Sequence, residues 1–215
     1  MTNEDGTLWI TYNGEIYNYI ELRSELEKLG HRFHSHTDTE VILHGYEQWG
    51  VEVLSRLKGM FALGIWNEKQ QELFLARDRF GIKPMYYYNH GGNFVFASEI
   101  KAIKANPAIN TTLDMTSFAD FFVYRYVPGT KTIWQEVNKL PPAHYLVLND
   151  RGIKEIKQYW KIAYANNTLS DKEAIERYDA LLLNSVKTHA RSDVQVGSFL
   201  SGGYDSSAIA YLLAK

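Results

Sequence analysis

Leu8 to Tyr12 alternates apolar and small polar side chains, the period of a half-buried strand, and the Asn13-Gly14 pair that follows predicts a tight turn. Asn18 then stands where a helix cap is expected. Ile20, Leu22, Leu26 and Leu29 recur at near-helical spacing, with Gly30 as a C-terminal stop. His31 to Ser35 reads as short and extended. Thr37 or Asp38 caps a second helix through Val41, Ile42, Gly45 and Trp49, and Val51 to Leu57 gives a short third. Between Met60 and Phe96 the period changes to that of strands. The runs Phe61 to Trp66, Glu72 to Ala76, Met85 to Tyr88 and Phe94 to Phe96 are separated by turn chemistry, which predicts one antiparallel meander.

Ser98 caps a predicted helix carrying Ile100 and Ile103, and another helix is expected over Met115 to Tyr124. A hairpin follows, Tyr145 to Leu148 and Gly152 to Ile156, turned by Asn149-Asp150-Arg151-Gly152. Small polar residues then mark residues 161–170 as a linker. Ser170 and Glu173 form a capping box for a helix of about 20 residues. That helix leads into a predicted strand, Val194 to Leu200, ending in Ser201-Gly202-Gly203-Tyr204-Asp205-Ser206-Ser207 and a helical tail. This pattern is compatible with an α+β first part followed by the opening of an α/β second part.

Composition narrows what this pattern can serve. A chain of 215 residues with 45% hydrophobic and 22% charged residues can build a core, so disorder is excluded. With 23 basic against 25 acidic residues and no long Lys/Arg run, nucleic acid is not expected as a partner. Apolar runs are of strand length and Met1 opens onto polar residues, so a membrane span and a signal peptide are not expected either, and the location expected is cytoplasmic. In that setting the sequons at Asn110 and at Asn166-Asn167-Thr168 are chance matches. The chain contains no cysteine, which removes disulfides, thiolate metal sites and a thiol nucleophile from these residues.

The Ser201 to Ser207 segment carries the plainer chemistry. Glycines between a strand and a helix bring bare backbone N–H groups and the positive helix end to one point, which suits phosphate. Ser201, Ser206 and Ser207 add hydroxyl donors, and Asp205 can hold Mg²⁺ beside the phosphates. No Walker lysine is present, so the segment matches the Ser-Gly-Gly-x-Asp-Ser loop of enzymes that split ATP to AMP and pyrophosphate. The bland reading, a Ser/Gly-rich turn, is weakened by the strand before it and the helix after it.

The second constellation begins at Asn13-Gly14-Glu15-Ile16-Tyr17-Asn18, which alone is only a turn after a strand. It is followed by Ser35 to Glu40, Leu57-Lys58-Gly59-Met60-Phe61-Ala62, Ala76-Arg77-Asp78-Arg79-Phe80-Gly81-Ile82-Lys83-Pro84 and Ala97 to Ala102. In this order the segments resemble the glutaminase half of amidotransferases that use an N-terminal cysteine; with the Ser-Gly-Gly-x-Asp-Ser loop after them they resemble the glutamine-hydrolysing asparagine synthetase family. The resemblance implies an N-terminal-nucleophile hydrolase-type sandwich of antiparallel sheets between helices over 1–160, a linker over 161–170, and the start of a doubly wound ATP-pyrophosphatase domain over 171–215. It implies that Asn13 and the Gly14 N–H form an oxyanion hole, and that Asn13, Gly14, Glu15 and Asp38 bind glutamine. It also implies that Phe199, Leu200, Ser201, Gly202, Gly203, Asp205, Ser206 and Ser207 bind ATP, with Asp205 on Mg²⁺. Where the family commonly has leucine, this chain has Tyr204.

The activity implied is glutamine hydrolysis supplying ammonia for ATP-dependent amidation of aspartate to asparagine, with glutamine, aspartate and ATP as substrates and a homodimer of the intact parent as an open expectation. The family nucleophile is a cysteine that follows the initiator Met, and here Thr2 follows Met1. The expectation is therefore a fragment, inactive alone, lacking the catalytic start and most of the synthetase domain. Two rivals stand beside it. One is a Cys-free relative whose glutaminase half is a scaffold and which amidates another carboxylate. The other is a zinc module on His31, His34, His36 and Asp38, weakened because the chain has no His-Glu-x-x-His.

Overall fold

The computed structural model describes residues 1–164 and 168–214. The linker reading and the Asn166-Asn167-Thr168 triplet fall partly on residues 165–167, outside the described residues, as does Lys215. The chain divides into two compact units, Met1–Lys161 and Ile162–Lys215.

In the first unit, β1 (Leu8–Ile16), β2 (Gly59–Asn67), β3 (Glu72–Arg77), β7 (His144–Asn149) and β8 (Gly152–Gln158) form an antiparallel sheet in the order β1-β2-β3-β7-β8. A second antiparallel sheet has the order β5-β4-β6, from β4 (Tyr86–His90), β5 (Asn93–Ala97) and β6 (Val137–Lys139). The expected single meander is therefore split between β3 and β4. The segment between them leaves the first sheet because Asp78, itself buried, collects four backbone N–H groups: Phe61 at 3.2 Å, Phe80 at 3.1 Å, Ile82 at 3.0 Å and Lys83 at 2.9 Å. Arg77 donates to the carbonyls of Gly81, Lys83 and Leu140, closing the same corner. A carboxylate satisfying four amides can replace ladder bonds that a bent strand gives up.

Strand alternation then makes the layers. Phe61, Leu63, Ile65, Phe74, Ala76, Tyr145 and Val147 face α1 (Tyr19–Lys28), α2 (Asp38–Trp49) and α3 (Val53–Arg56), whose Leu22, Leu26, Val41, Ile42, Leu43, Val53 and Leu54 complete one core. Ala62, Leu75 and Leu146 face the other way, onto Tyr87, Phe94 and Phe96 of the second sheet. The outer face of that sheet packs Tyr88 and Val137 on Ile103 of α4 (Ile100–Lys104). The result is helix, sheet, sheet, helix. Each fully buried Leu, Ile or Phe contributes about 1.5–3 kcal/mol to this arrangement.

Local signals account for the helix ends. Gly30, at φ +101°, closes α1 in a Schellman motif: its N–H reaches Glu27 O, and His31 N–H reaches Leu26 O. Asn18 does not cap α1 through its side chain; it ties Arg56 O and Lys58 N instead, joining the start of α1 to the segment after α3. Helix α5 (Met115–Tyr124) begins at Asp114, which accepts from Thr116 N and Ser117 N. Helix α4 starts from Glu99 and not from Ser98. His31 to Ser35 forms no strand.

The expected turn at Asn13-Gly14 is also corrected: β1 runs straight through it, pairing Asn13 with Ala62 and Gly14 with Phe61. Turn chemistry loses to the ladder because β2 offers continuous pairing, and because glycine lets the strands approach. A Cβ on Gly14 would lie 2.2 Å from Met60 O.

The second unit contains α6 (Asp171–His189) and α7 (Tyr204–Leu213). The Ser170–Glu173 capping box forms as the sequence implies, with the Ser170 hydroxyl accepting from Glu173 N and the Glu173 carboxylate accepting from Ser170 N. The strand expected at Val194 to Leu200 does not form. A strand requires a neighbour for its backbone groups, and among the described residues none runs beside this segment. Val194, Val196, Phe199 and Leu200 are accordingly exposed.

Candidate functional site

Strand β1 separates two chemistries by alternation. Thr11 and Asn13 project into a cleft of about 490 Å³ between the sheets, lined also by Tyr12, Ala62, Gly64, Met85, Phe96, Ala97 and Ser98. Gly64 keeps this cleft compact, since a Cβ there would meet the Phe96 ring at 2.8 Å. Asn13 Nδ2 donates to Ser98 Oγ at 3.1 Å, so a residue 85 positions away fixes the orientation of the amide. Sequence reasoning placed Ser98 at a helix cap and missed this contact, although the Ala97-Ser98-Glu99 motif stood among the segments singled out.

On the opposite side of β1, Tyr12 Oη donates to Asp38 Oδ2 at 2.8 Å, and Ile16 N–H donates to the same oxygen at 2.9 Å. Burial, reinforced by the Asp38 carboxylate, pushes the Tyr12 phenol far above its ordinary range and keeps it a proton donor. Asp38 is the first residue of α2, where a carboxylate also meets the positive helix end. Asn13 lines the cleft; Glu15 and Asp38 do not. The four glutamine-side candidates therefore lie on or beside one strand, with one side chain in the cavity and Asp38 bound to the back of β1.

The loop before α2 is held by Glu40, a buried carboxylate that accepts from His34 N and Ser35 N at 2.7 Å each and from Ser35 Oγ at 2.5 Å. Burial alone would raise its pKa, but these donors and His44 outweigh it and hold Glu40 below the ordinary carboxylate range. The suggested zinc set is not assembled. His36 Nδ1 sits 3.5 Å from the Arg23 guanidinium, Asp38 is bound to β1, and His31 Nδ1 faces Glu47 at 3.7 Å.

In the second unit, Gly202 takes φ +82° and Gly203 caps α7 through its carbonyl, which accepts from Ser207 N at 3.0 Å. Ser201 Oγ and Ser206 Oγ lie 3.0 Å apart, and Ser206 Oγ donates to Gly203 O. A Cβ at Gly202 would meet nothing within 4 Å and one at Gly203 would meet only the two serine hydroxyls, so the loop leaves open space over its backbone. Asp205 stands in the first turn of α7, and Tyr204 is fully exposed. Phe199 lines a separate apolar cleft of about 440 Å³ with Leu182, Val186, Ile209 and Leu213, whereas Ser201 to Ser207 do not. Leu200 is exposed and touches neither cleft.

Comparison with known proteins places these features. The sequence profile of the glutamine amidotransferase domain matches residues 1–160, and that of asparagine synthase matches residues 177–215. The chain is 40% identical over 215 residues to asparagine synthetase [glutamine-hydrolyzing] 3 of Bacillus subtilis (strain 168), covering 99% of this chain and 35% of that protein. It is 40% identical over 214 residues to a putative asparagine synthetase of Mycobacterium tuberculosis (strain ATCC 25618 / H37Rv), covering 96% of this chain and 33% of the other. The chain thus spans about a third of the length of these relatives. Among solved structures, a glutamine phosphoribosylpyrophosphate amidotransferase from B. subtilis aligns with a TM-score of 0.53 at 20% identity, covering all of this chain and 46% of that one. At that identity the likeness concerns the fold, and it is the same N-terminal-nucleophile type of sandwich. With its first 160 residues matched end to end and two antiparallel sheets enclosed by helices, the chain belongs to the glutamine amidotransferase domain family.

Proposed function

We propose that the intact protein carrying this chain is a glutamine-hydrolysing asparagine synthetase, with residues 1–160 in its glutaminase domain, 161–170 as linker and 171–215 opening its ATP-binding domain. The observation that carries the reading is Asn13: β1 presents its amide to the inter-sheet cleft, Ser98 orients it, and a glycine follows it. In this role the Asn13 side-chain amide and the Gly14 backbone N–H donate to the charge that develops on the glutamine side-chain oxygen. The family resemblance assigns the substrate ammonium to Glu15 and Asp38, which lie on and beside β1 outside this cleft. The chain has no cysteine, so the nucleophile of this site is not among its 215 residues. The family resemblance puts it on an upstream segment.

At the second site, the open backbone at Gly202 and Gly203, the three serine hydroxyls and the α7 N-terminus suit the phosphates of ATP, with Asp205 as the carboxylate for Mg²⁺. The side-chain carboxylate of aspartate would attack the α-phosphorus of ATP held there, forming an acyl-adenylate with loss of pyrophosphate, and ammonia from the first site would displace AMP to give the amide. The setting we assign is cytoplasmic amino-acid biosynthesis. No helix among the described residues is long and apolar enough to cross a membrane.

The test uses the full-length parent with either nitrogen donor. Asn13→Ala removes one oxyanion donor and lowers glutamine-driven asparagine formation by about 10²–10³-fold while ammonium-driven formation persists. Asp205→Ala abolishes synthesis with both donors and leaves glutamate release from glutamine. Equal loss of both nitrogen routes in a folded Asn13→Ala protein would disprove a separate glutaminase site. The 215-residue chain alone releases no glutamate from glutamine.

A further inference from the structure

We propose that Glu4, His31, His44 and Glu47 form a structural zinc site that fastens the N-terminal segment and the loop after α1 to helix α2. One oxygen or ring nitrogen from each of the four residues lies within 4.8 Å of the others. His44 Nδ1 is 3.3 Å from Glu4 Oε2 and 3.5 Å from Glu47 Oε2, and His31 Nδ1 is 3.7 Å from that same Glu47 oxygen. Zinc–nitrogen and zinc–oxygen bonds of about 2.0–2.1 Å give a tetrahedron with edges of about 3.3–3.4 Å, so these separations already approach a coordination shell.

The independent observation is His44 itself. Its side chain is 1% exposed, and its Nδ1 is a buried nitrogen with no hydrogen bond. A buried ring nitrogen that lies 3.3 and 3.5 Å from two carboxylate oxygens yet hydrogen-bonds to neither costs free energy unless a cation joins them. The surrounding contacts leave its lone pair facing the cluster. His44 Nε2 lies 3.4 Å from Glu40 Oε1, and His31 Nε2 lies 3.0 Å from Gln48 Oε1, partners that hold the ring proton on Nε2 and leave Nδ1 inward. The carboxylates are held the same way: Glu4 Oε1 accepts from Arg32 N at 3.2 Å, and Glu47 Oε1 accepts from Asn3 Nδ2 at 3.1 Å. Each of the four side chains thus has one polar atom tied outward and one aimed at a common point.

The donor set selects the ion. Two imidazoles and two carboxylates suit zinc, whereas calcium and magnesium require more oxygens. Two glutamates balance the double charge, which permits a partly buried site, and Phe33 covers the His44 ring edge-on at 4.6 Å. Glu4 and Glu47 are each about a third exposed at the side chain, free to swing in and shorten the longer separations. Four protein ligands leave no open position, the mark of a structural site and not a catalytic one.

The experiment uses the untagged protein, stripped with a chelator and dialysed against zinc or cobalt. One zinc per chain is expected by metal analysis, with the visible bands of tetrahedral cobalt and a higher unfolding temperature than the chelated protein. His31→Gln and Glu47→Gln each weaken binding by more than about tenfold, and Gln48→Ala, which only releases the His31 ring, weakens it by about tenfold. His34→Gln and His36→Gln leave binding unchanged. Absence of bound zinc and of cobalt bands in the folded protein would overturn the proposal, leaving only an ion network of two histidines and two carboxylates. So would binding that survives Glu47→Gln and His31→Gln, or that His36→Gln removes.

Discussion

Substitution of Gly14 by alanine tests a confined contact between the first two strands of the sheet. Gly14 lies within β1 with no positive φ, so its backbone conformation is open to alanine, and the whole cost arises from space. The new Cβ would lie 2.2 Å from Met60 O, 2.8 Å from Phe61 Cα and 2.9 Å from Tyr12 Cε2. Two of these neighbours are backbone of the paired strand, so relief requires β1 and β2 to part by about 1 Å at that point. Overpacking costs about 1–3 kcal/mol, and each weakened ladder bond adds about 0.5–1.5 kcal/mol, giving a total of about 2–4 kcal/mol. The five tryptophans, Trp9, Trp49, Trp66, Trp134 and Trp160, all belong to Met1–Lys161, so their fluorescence in urea reports that unit. With a slope of about 2 kcal/mol per molar urea, Gly14→Ala should move the midpoint down by about 1–2 M. A midpoint unchanged from that of the parent would refute the close approach of the two strands.

Asp78→Asn should cost about 3–5 kcal/mol in the same urea assay, because a carboxylate serving four backbone N–H groups is replaced by an amide whose NH₂ opposes some of them; an unchanged midpoint would show that the corner is held by Arg77 alone. Glu40, whose pKa is depressed by Ser35, His34 and His44 donors against its burial, contributes stability that is present above the ordinary glutamate value of 4.5 and is lost as the pH falls through its lower folded value. The stability gap between wild type and Glu40→Gln should therefore be widest near neutrality and close below pH 4.5; urea midpoints from pH 3 to pH 7 that keep a constant gap would contradict this sign. Ser98→Ala in the full-length parent should lower glutamine-driven turnover through loss of Asn13 orientation while ammonium-driven turnover is kept, and Ser98→Thr, which retains the hydroxyl, should restore part of it.

How legible each feature was depended on how local its cause is. Helix α5 and the Ser170–Glu173 box were readable because period and cap lie within a few residues. Asn13-Gly14 misled because its turn preference is local, whereas its fate is set by Met60 and Phe61, more than forty positions away. The split of the meander was invisible for the same reason: Asp78 gathers amides from two elements, and nothing in its immediate sequence distinguishes it from a loop aspartate. Val194 to Leu200 has strand composition, but a ladder is a property of two segments. The histidines show the limit most plainly. Adjacent His31, His34 and His36 drew attention by spacing, yet His31 meets His44, Glu4 and Glu47, brought in by the N-terminal segment and by one face of α2.

The two halves of the proposed glutaminase chemistry depend on the register of a single strand. Because successive side chains of β1 alternate, Leu8, Ile10 and Ile16 are buried in the core against the helices and Tyr12 reaches Asp38 at the start of α2, while Thr11 and Asn13 line the cleft against the second sheet. A slip of one residue would bury Thr11 and Asn13 among leucines and take the Asn13 amide out of the cleft, so the hydrophobic pattern that stabilises the sheet is also what aims the amide. Asp38 secures this from outside the strand, since its Oδ2 accepts from both the Tyr12 hydroxyl and the Ile16 N–H and would lose both contacts in any other register. Ser98 secures it from the opposite side by accepting from Asn13. The proposed oxyanion donor is therefore held from both faces of the first sheet, and its placement follows from apolar burial on one side and two polar contacts that only one register allows.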